Sequence, residues 1–526
     1  MTALPLPIVD ATPAPHAPRD AEAPLRWARL LADVGRPIRY HLVTLGCPKN
    51  TVDSEAFERR LRAFGCQPVA GPRQADVLVV NTCGFIEQSQ EESITAILRL
   101  AADKASHQVL VAAGCLVTLN RQELAAELPE VDAFFDPREW DAALAAVAGY
   151  GLHPHVTVAR LEAAEERLRT GEPPARALAD LYDARLLPEL ATAGAREGLP
   201  YDIPPSGTIG GRRVSAYLKV SDGCDAPCTF CIIPQIKGRL TSVEAEELVR
   251  QARALRAEGA REIVLVAQDL TAYAEDRGRR DALPDLLRRL AEAVPDVWLR
   301  LMYAYPGRVS ERLIRTMAEL PQVVHYLDVP LQHASPRVLR AMRRPANMSM
   351  VRRMIGDLRA AMPDIALRTT FIVGFPGETE ADVEDLLAFL EEIRFDHVGV
   401  FTYSRQERAV SAGFPGQVPE RVKRARRRRV MERQQRIALA QRQALVGREC
   451  TVLVEGATTA RDRRMGGIGP LVSGRSYRDA PEVDGLVIAR GHAVPGDFVR
   501  VRVTQATPYD LVGEVTGAAG PFDPVR

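Results

Sequence analysis

Three closely spaced cysteines constrain this chain more than any other feature. The segment Asp222-Gly-Cys-Asp-Ala-Pro-Cys-Thr-Phe-Cys-Ile-Ile-Pro sets Cys224, Cys228 and Cys231 in a C-x3-C-x2-C pattern. Three thiolates this close can hold one small metal centre. They are one short of the four ligands of a closed zinc site or an ordinary iron–sulfur cluster. A [4Fe–4S] cluster held by three cysteines keeps one iron open, as an active cluster requires and a structural one does not. A lone C-x2-C would read as half a zinc site or a redox pair. Here the apolar run Val214-Ser-Ala-Tyr-Leu-Lys-Val220 leads directly into the loop, and Gly223 and Pro227 shape it. The pattern is that of a cluster loop following a strand.

At 526 residues the chain is too long for one core, and about three domains are expected. Its 46% hydrophobic and 26% charged residues suit a globular protein, and a net charge of +1 argues against a molecule-wide polyanion binder. Eight cysteines over this length are too few for a disulfide scaffold and suit metal ligation in a reducing compartment. No apolar run is long enough to span a membrane. Residues 1–37 are rich in Ala and Pro and lack the basic start and apolar run of a secretory signal. They read as a disordered extension, and the protein is expected in the cytoplasm.

From residue 38 to 150 apolar runs at 40–45, 77–80 and 109–113 alternate with helical patterns near 52–64 and 85–105. This is the pattern of an N-terminal doubly wound domain with a parallel sheet. Each run ends at a cysteine: Thr44-Leu-Gly-Cys47, Asn81-Thr-Cys83-Gly84 and Ala113-Gly-Cys115. Carboxyl ends of parallel strands lie side by side, so Cys47, Cys83 and Cys115 should be neighbours in space and could form a second three-cysteine site. Gly46, Gly84 and Gly114 beside them let backbone crowd a ligand. Cys66 and Cys450 have no partner at ligand spacing and read as packing residues.

The central region, 207–440, holds six apolar runs separated by helical segments: 214–220, 263–267, 297–302, 326–329, 367–373 and 397–401. Six strand–helix units predict a partial parallel (βα)6 barrel with its chemistry at the strand C-terminal ends. Gln268 and Asp269 follow one run, Gln332 and His333 another, and Thr370-Phe-Ile-Val-Gly-Phe-Pro-Gly-Glu378 ends a third. His333 has a plain structural reading and receives no acid–base role. Between the first two domains, 151–206 reads as an insertion and linker, with a helix packed on its neighbour as the expected form.

The cluster loop resembles that of the radical S-adenosylmethionine (SAM) superfamily. The pair of three-cysteine sites, in this order, resembles its methylthiotransferase branch. Gly46-Cys-Pro-Lys-Asn50, Asn81-Thr-Cys-Gly-Phe85 and Cys231-Ile-Ile-Pro-Gln-Ile-Lys-Gly-Arg239 are most similar to the RimO-type enzymes, which modify ribosomal protein S twelve. The resemblance implies two [4Fe–4S] clusters, one on Cys224, Cys228 and Cys231 and one on Cys47, Cys83 and Cys115. It implies SAM bound near Gln268, Gly374, Gly377 and Glu378. The reaction it implies adds a methylthio group to an aspartate β-carbon of that ribosomal protein. The first cluster would cleave SAM to a 5′-deoxyadenosyl radical and the second would supply sulfur. A ribosomal protein substrate and an electron donor are the implied partners. The alternatives are methylthiolation of isopentenyl-adenosine in tRNA and a non-catalytic zinc- or RNA-binding factor.

The run 421–430 is densely basic and reads either as a contact for ribosomal RNA or as a solvated helix face. From 441 to 517 short strands with Gly and Pro turns predict a small antiparallel β-barrel, which by resemblance is a TRAM domain. Between 450 and 514 eight Arg balance eight Asp or Glu. That balance, with Asp479, Glu482 and Asp484 close together, favours a basic protein over RNA as the substrate of this domain.

Overall fold

The computed structural model describes residues 22–153, 155–181, 214–458 and 470–523. The chain forms two compact units, Met1–Ile203 and Pro204–Arg526.

In the first unit, helix α1 (Ala23–Asp33) precedes strand β1 (Arg39–Thr44), α2 (Pro48–Ala63), β2 (Gln67–Pro68), β3 (Val77–Thr82), α3 (Glu87–Ala102), β4 (Val109–Gly114), α4 (Cys115–Glu127), β5 (Ala133–Phe135), α5 (Trp140–Ala148) and α6 (Val158–Arg169). The sheet runs β2-β1-β3-β4-β5, and every pairing is parallel. All residues of β3 are buried. Val77 and Val79 pack into one apolar cluster with Trp27 and Leu144, and Leu78 and Val80 into another with Ile97 and Leu116. Both faces of the sheet are therefore covered. This is why its strands read as unbroken apolar runs and not as alternation.

The expected disordered extension over 1–37 is corrected from residue 22 onward. Pro24 stands at the start of α1, where a missing N–H costs nothing, and Trp27, Leu30 and Leu31 are buried. Arg26 donates to Glu162 at 3.0 Å and Glu165 at 2.8 Å on α6. Leu161 and Ala164 of α6 are fully buried in the same cluster as α1. Ala and Pro richness suggested disorder, but the apolar spacing of α1 is helical and α6 supplies the surface it needs. The segment 155–181 is thus a packed part of the first unit, as an amphipathic helix in an insertion should be. The remaining linker, 182–206, and residues 1–21 lie outside the described residues.

The second unit begins with β6 (Ser215–Lys219), β7 (Ser221–Asp222), β8 (Thr241–Ser242), α7 (Ala245–Ala257), β9 (Glu262–Val266), α8 (Leu283–Ala293), β10 (Trp298–Leu301) and α9 (Glu311–Glu319). It continues with β11 (Val323–Asp328), α10 (Pro336–Ala341), α11 (Met348–Ala361), β12 (Ala366–Val373), α12 (Glu380–Ile393), β13 (His397–Thr402) and α13 (Glu420–Gln443). The six long strands form one parallel sheet in the order β13-β12-β11-β10-β9-β6, the partial barrel expected. Consecutive strands are neighbours, so each helix crosses back on the outside.

The last strands are β14 (Glu449–Thr458), β15 (Leu471–Ser476), β16 (Val487–Arg490), β17 (Phe498–Ala506) and β18 (Leu511–Ala518). They close into a barrel, β14-β15-β16-β18-β17, filled by Val452, Val454, Val499, Val501 and Leu511. One pair, β16 with β18, is parallel, so the barrel is not antiparallel throughout.

A buried polar layer joins this small barrel to the N-terminal ends of the large one. Arg300 donates to Glu262 at 2.7 Å and to the carbonyl of Tyr477 at 2.7 Å. Arg475 donates to Glu262 at 2.5 Å and to Glu455 at 2.9 Å. The Tyr326 hydroxyl donates to Asp484 at 2.7 Å, and His397 Nε2 to the carbonyl of Arg478 at 2.7 Å. Burial alone would raise the Glu262 carboxyl, but Arg475 and Arg300 outweigh it and hold it down to about 2.

These pairings correct two expectations. Asp479 pairs with Arg442 at 2.9 Å, and the Asp484 side chain is 2% exposed and faces Arg368 at 3.4 Å. Two of the three carboxylates offered to a basic substrate are therefore committed inside the fold. On α13, Arg426 pairs with Glu378 at 2.9 Å and Arg433 with Glu391 at 3.1 Å, and Arg429 bridges Glu380 and Glu384. Much of the basic run is internal glue, and Arg421, Arg424 and Arg428 stay exposed.

Candidate functional site

The first three-cysteine site is built at the carboxyl edge of the N-terminal sheet. Register sets Thr44 beside Asn81 and Thr82 beside Gly114. The residues after these positions therefore emerge together. Cys47 caps the start of α2, with Pro48 at its first position, and Cys115 is the first residue of α4. A β-carbon on Gly46 would lie 2.7 Å from Cys83 Sγ, and one on Gly84 2.9 Å from the Leu116 amide. These two glycines bring the Cys47, Cys83 and Cys115 segments into contact.

Asn50 ties the site together. Its side-chain amide donates to the carbonyls of Leu45 and Thr82, both at 3.0 Å, and the Cys115 thiol donates to its Oδ1 at 3.7 Å. Asn81 in turn donates to the Asn50 carbonyl at 3.1 Å and to Ser54 at 2.9 Å. Burial pushes the Cys83 thiol above its ordinary value. Asn50 and Asn81 fall within motifs visible in the sequence, but their task of linking three strand ends is not.

The second site is the loop after β6. Each of its three sulfurs accepts an N–H: Cys224 Sγ from Ala226 at 3.4 Å, Cys231 Sγ from Ile233 at 3.5 Å, and Cys228 Sγ from Arg344 at 3.8 Å. Such a donor set is matched to sulfur that carries negative charge. Burial is the leading cause that raises the Cys224 thiol above its ordinary value. Gly223, at φ +70°, has no room for a β-carbon, which would stand 2.1 Å from the Arg239 carbonyl oxygen. Thr229, between two of the cysteines, donates through its hydroxyl to Ala341 at 2.8 Å and through its amide to Met342 at 3.1 Å. The loop is thus pinned to the end of α10.

Among the described residues, no three His, Cys, Asp or Glu side chains stand close enough to hold a single metal ion. A cluster does not require that convergence on one ion, because each thiolate binds its own iron. Cys66 and Cys450 are buried, and burial pushes both thiols up to about 12, in keeping with packing residues.

The other residues expected near SAM divide into two kinds. Gln268 follows β9 and donates to Asp222 at 2.9 Å, while its Oε1 is buried without a hydrogen-bond partner in the structure. An orphaned acceptor beside the cysteine loop fits a bound polar group. Gly374 and Gly377, at φ +75° and +77°, shape the turn after β12. Glu378 is corrected from ligand contact to turn support. Its side chain is fully buried, accepts from the Gly374 amide at 2.8 Å, and pairs with Arg426 at 2.9 Å. His333 accepts the Ser335 amide on Nδ1 at 2.9 Å, so its proton sits on Nε2, 3.4 Å from Glu378. It is the structural histidine expected.

A cavity of about 270 Å3 opens beside Cys224, lined by Asp225, Arg239, Asp269, Glu275, Asp276 and Arg308 among others. Asp269, a polar strand end visible in the sequence, forms a polar group there with Tyr305, Arg308 and Arg344, which sequence reasoning missed. Arg308 pairs with Asp269 at 2.8 Å and Glu275 at 3.1 Å.

The radical SAM superfamily matches residues 218–390, the uncharacterized protein family UPF0004 residues 39–136, and the TRAM domain residues 446–516. A protein of Roseiflexus castenholzii named ribosomal protein uS12 methylthiotransferase RimO is 46% identical over 91% of this chain and 96% of its own length. Its namesake in Roseiflexus sp. is 47% identical over 93% of this chain and 99% of its own length. One in Herpetosiphon aurantiacus is 44% identical over 91% and 100%. The chain belongs to the RimO family. The RimO match spans both cysteine sites, the barrel and the TRAM domain. The division into a doubly wound domain, a radical SAM barrel and a TRAM barrel is therefore that of the family. Among the described residues no helix is long and apolar enough to cross a membrane.

Proposed function

We propose that this protein adds a methylthio group to ribosomal protein uS12, at an aspartate β-carbon, through two [4Fe–4S] clusters and SAM. The observation that carries the reading is the near full-length likeness to proteins named for that activity, on a chain with two sites of three cysteines. When bound, these groups would supply a one-electron cleavage of one SAM, a 5′-deoxyadenosyl radical that takes hydrogen from the substrate carbon, and a sulfur that leaves carrying a methyl group donated by a second SAM.

The chain's own residues hold and orient. Cys224, Cys228 and Cys231 would carry one cluster, their sulfurs each facing an N–H. Cys47, Cys83 and Cys115 would carry the other, with Gly46 and Gly84 removing side chains from the crowded ground between them. Gln268 offers its unpartnered Oε1, and the Gly374–Gly377 turn offers backbone, toward SAM. Glu378 keeps that turn rigid from behind.

Methylthiolation of tRNA is not favoured, since the relatives are named for uS12. On this reading the enzyme works in the cytoplasm and needs an electron donor as a further partner. Any contact with ribosomal RNA would fall to the exposed Arg421, Arg424 and Arg428. Mass spectrometry of uS12 and of tRNA from a deletion strain tests the reading. Loss of one methylthio group on uS12 supports it, and loss on tRNA alone overturns it. In the purified enzyme Cys228→Ala should abolish SAM cleavage, whereas Cys83→Ala should keep cleavage and lose thiolation.

A further inference from the structure

The sulfur of Cys228 has a cationic neighbour that forms no ion pair with a carboxylate among the described residues. Arg344 Nη1 lies 3.8 Å from Cys228 Sγ. The same guanidinium donates through Nη2 to the Pro330 carbonyl and lies over the Tyr305 ring, 4.1 Å from its centroid. Its Nε is buried without a hydrogen-bond partner. Most buried or half-buried arginines of this unit, among them Arg300, Arg308, Arg368, Arg426 and Arg475, are paired with carboxylates. Arg344 pairs with none among the described residues. Its neighbour Arg308 reaches the edge of the same ring, 5.1 Å from the centroid, but is neutralised by Asp269 and Glu275.

The backbone around Arg344 is fixed as well. Its amide donates to the Leu339 carbonyl at 2.9 Å as the chain leaves α10, and Thr229 of the cysteine loop is bonded to the two residues that end that helix. The guanidinium and the Cys228 sulfur are thus held by one rigid junction. A tether of this kind transmits no slack between the two groups.

Resting on the assignment of a cluster to Cys224, Cys228 and Cys231, we infer that Arg344 is a positioning residue that sets the reduction potential of that cluster. Three thiolates around a [4Fe–4S] core leave a net negative charge, and the electron taken from an external one-electron reductant adds another. A fixed cation and N–H donor at a ligating sulfur stabilise the reduced form over the oxidised form and so raise the potential. Tyr305 acts as the shelf on which the guanidinium rests, shielding one of its faces from water so that its charge is less screened.

The experiment uses the full chain with Cys47, Cys83 and Cys115 replaced by Ala, reconstituted so that one cluster remains. Its midpoint potential is read by EPR-monitored redox titration. Arg344→Gln should lower the potential at unchanged iron content, and Arg344→Lys should lower it less, because it keeps the charge. Equal potentials in all three proteins would overturn the inference. Should Arg344→Gln fail to hold iron, Tyr305→Leu decides: a lowered potential supports the role and an unchanged one removes it. Absence of any cluster in the parent protein would instead defeat the cluster assignment itself.

Discussion

The Cys115 thiol donates to Oδ1 of Asn50 across 3.7 Å, while the amide of the same asparagine holds the carbonyls of Leu45 and Thr82. One side chain thereby connects the ends of three strands, each of which delivers a cysteine. Asn50→Ala should leave two buried carbonyls without a donor, at roughly 1–3 kcal/mol each. A lower melting temperature is expected together with fewer irons per chain, the loss falling on the N-terminal site. Asn50→Asp, which keeps the shape but offers acceptors to acceptors, should fare no better. Iron analysis of each variant in a Cys224→Ala, Cys228→Ala, Cys231→Ala background checks this.

Gly46 sits at φ +91° with its missing β-carbon 2.6 Å from that of Cys83. Gly46→Ala combines a left-handed backbone strain of about 1 kcal/mol or more with a collision against a ligand residue. Thiolation of uS12 should fall by an order of magnitude or more while SAM cleavage at the other site persists. A variant with both activities intact would show that the crowding at Cys83 is not needed.

The pair of Glu262 with Arg300 and Arg475 gives the second unit a defined acid limit. Its folded pKa, about 2, lies below the ordinary value of 4.5. The carboxylate therefore contributes its stability in full above about pH 4.5, and that contribution disappears as pH falls toward 2. Denaturant melts of Glu262→Gln against the parent should show a large gap at pH 7 that narrows across this window. At neutral pH the gap should be about 3–5 kcal/mol, because two buried guanidinium groups lose their partner.

Neutralising Arg421, Arg424 and Arg428 together should leave the melting temperature within about 1 °C, since surface charges of this kind contribute little. Arg426→Gln should lower it clearly, because Glu378 would stay buried without its partner. If the exposed three meet ribosomal RNA, the triple variant should bind ribosomes with a shallower salt dependence, measured by co-sedimentation.

Much of this was legible in the residues, and the physical reason differs by region. Buried parallel strands announce themselves as apolar runs, so three of the five sheet strands and the six barrel strands could be read directly, whereas the short edge strands β2 and β5 offer too few residues to form a pattern. The cysteines stood out because strand ends and loop spacing are local properties of the chain. What escaped depends on distant partners. Helix α1 looked like a disordered tail because its stabilising surface, α6, lies far along the sequence. Strand β15 was missed because its buried Arg475 and Ser476 break the apolar pattern. Asp479 and Asp484 looked like bait for a basic substrate because Arg442 and Arg368 cannot be seen beside them in one dimension. Glu378 was placed beside SAM for the same reason, and Arg344 carries no local signal that would set it beside Cys228.

The ionic seam between the small barrel and the foot of the large one fixes where a guest can stand. The small barrel is bolted beneath the strands through Glu262, Arg300, Tyr326 and His397, whereas the cysteine loop crowns their far ends. Strands of this length separate the two by roughly 15–25 Å. A polypeptide held by the small barrel would have to pass the flank of the large one to bring a carbon to the cysteine loop. The small barrel and the cysteine loop therefore occupy opposite ends of one rigid body, and whatever touches both must be at least as long as the strands between them.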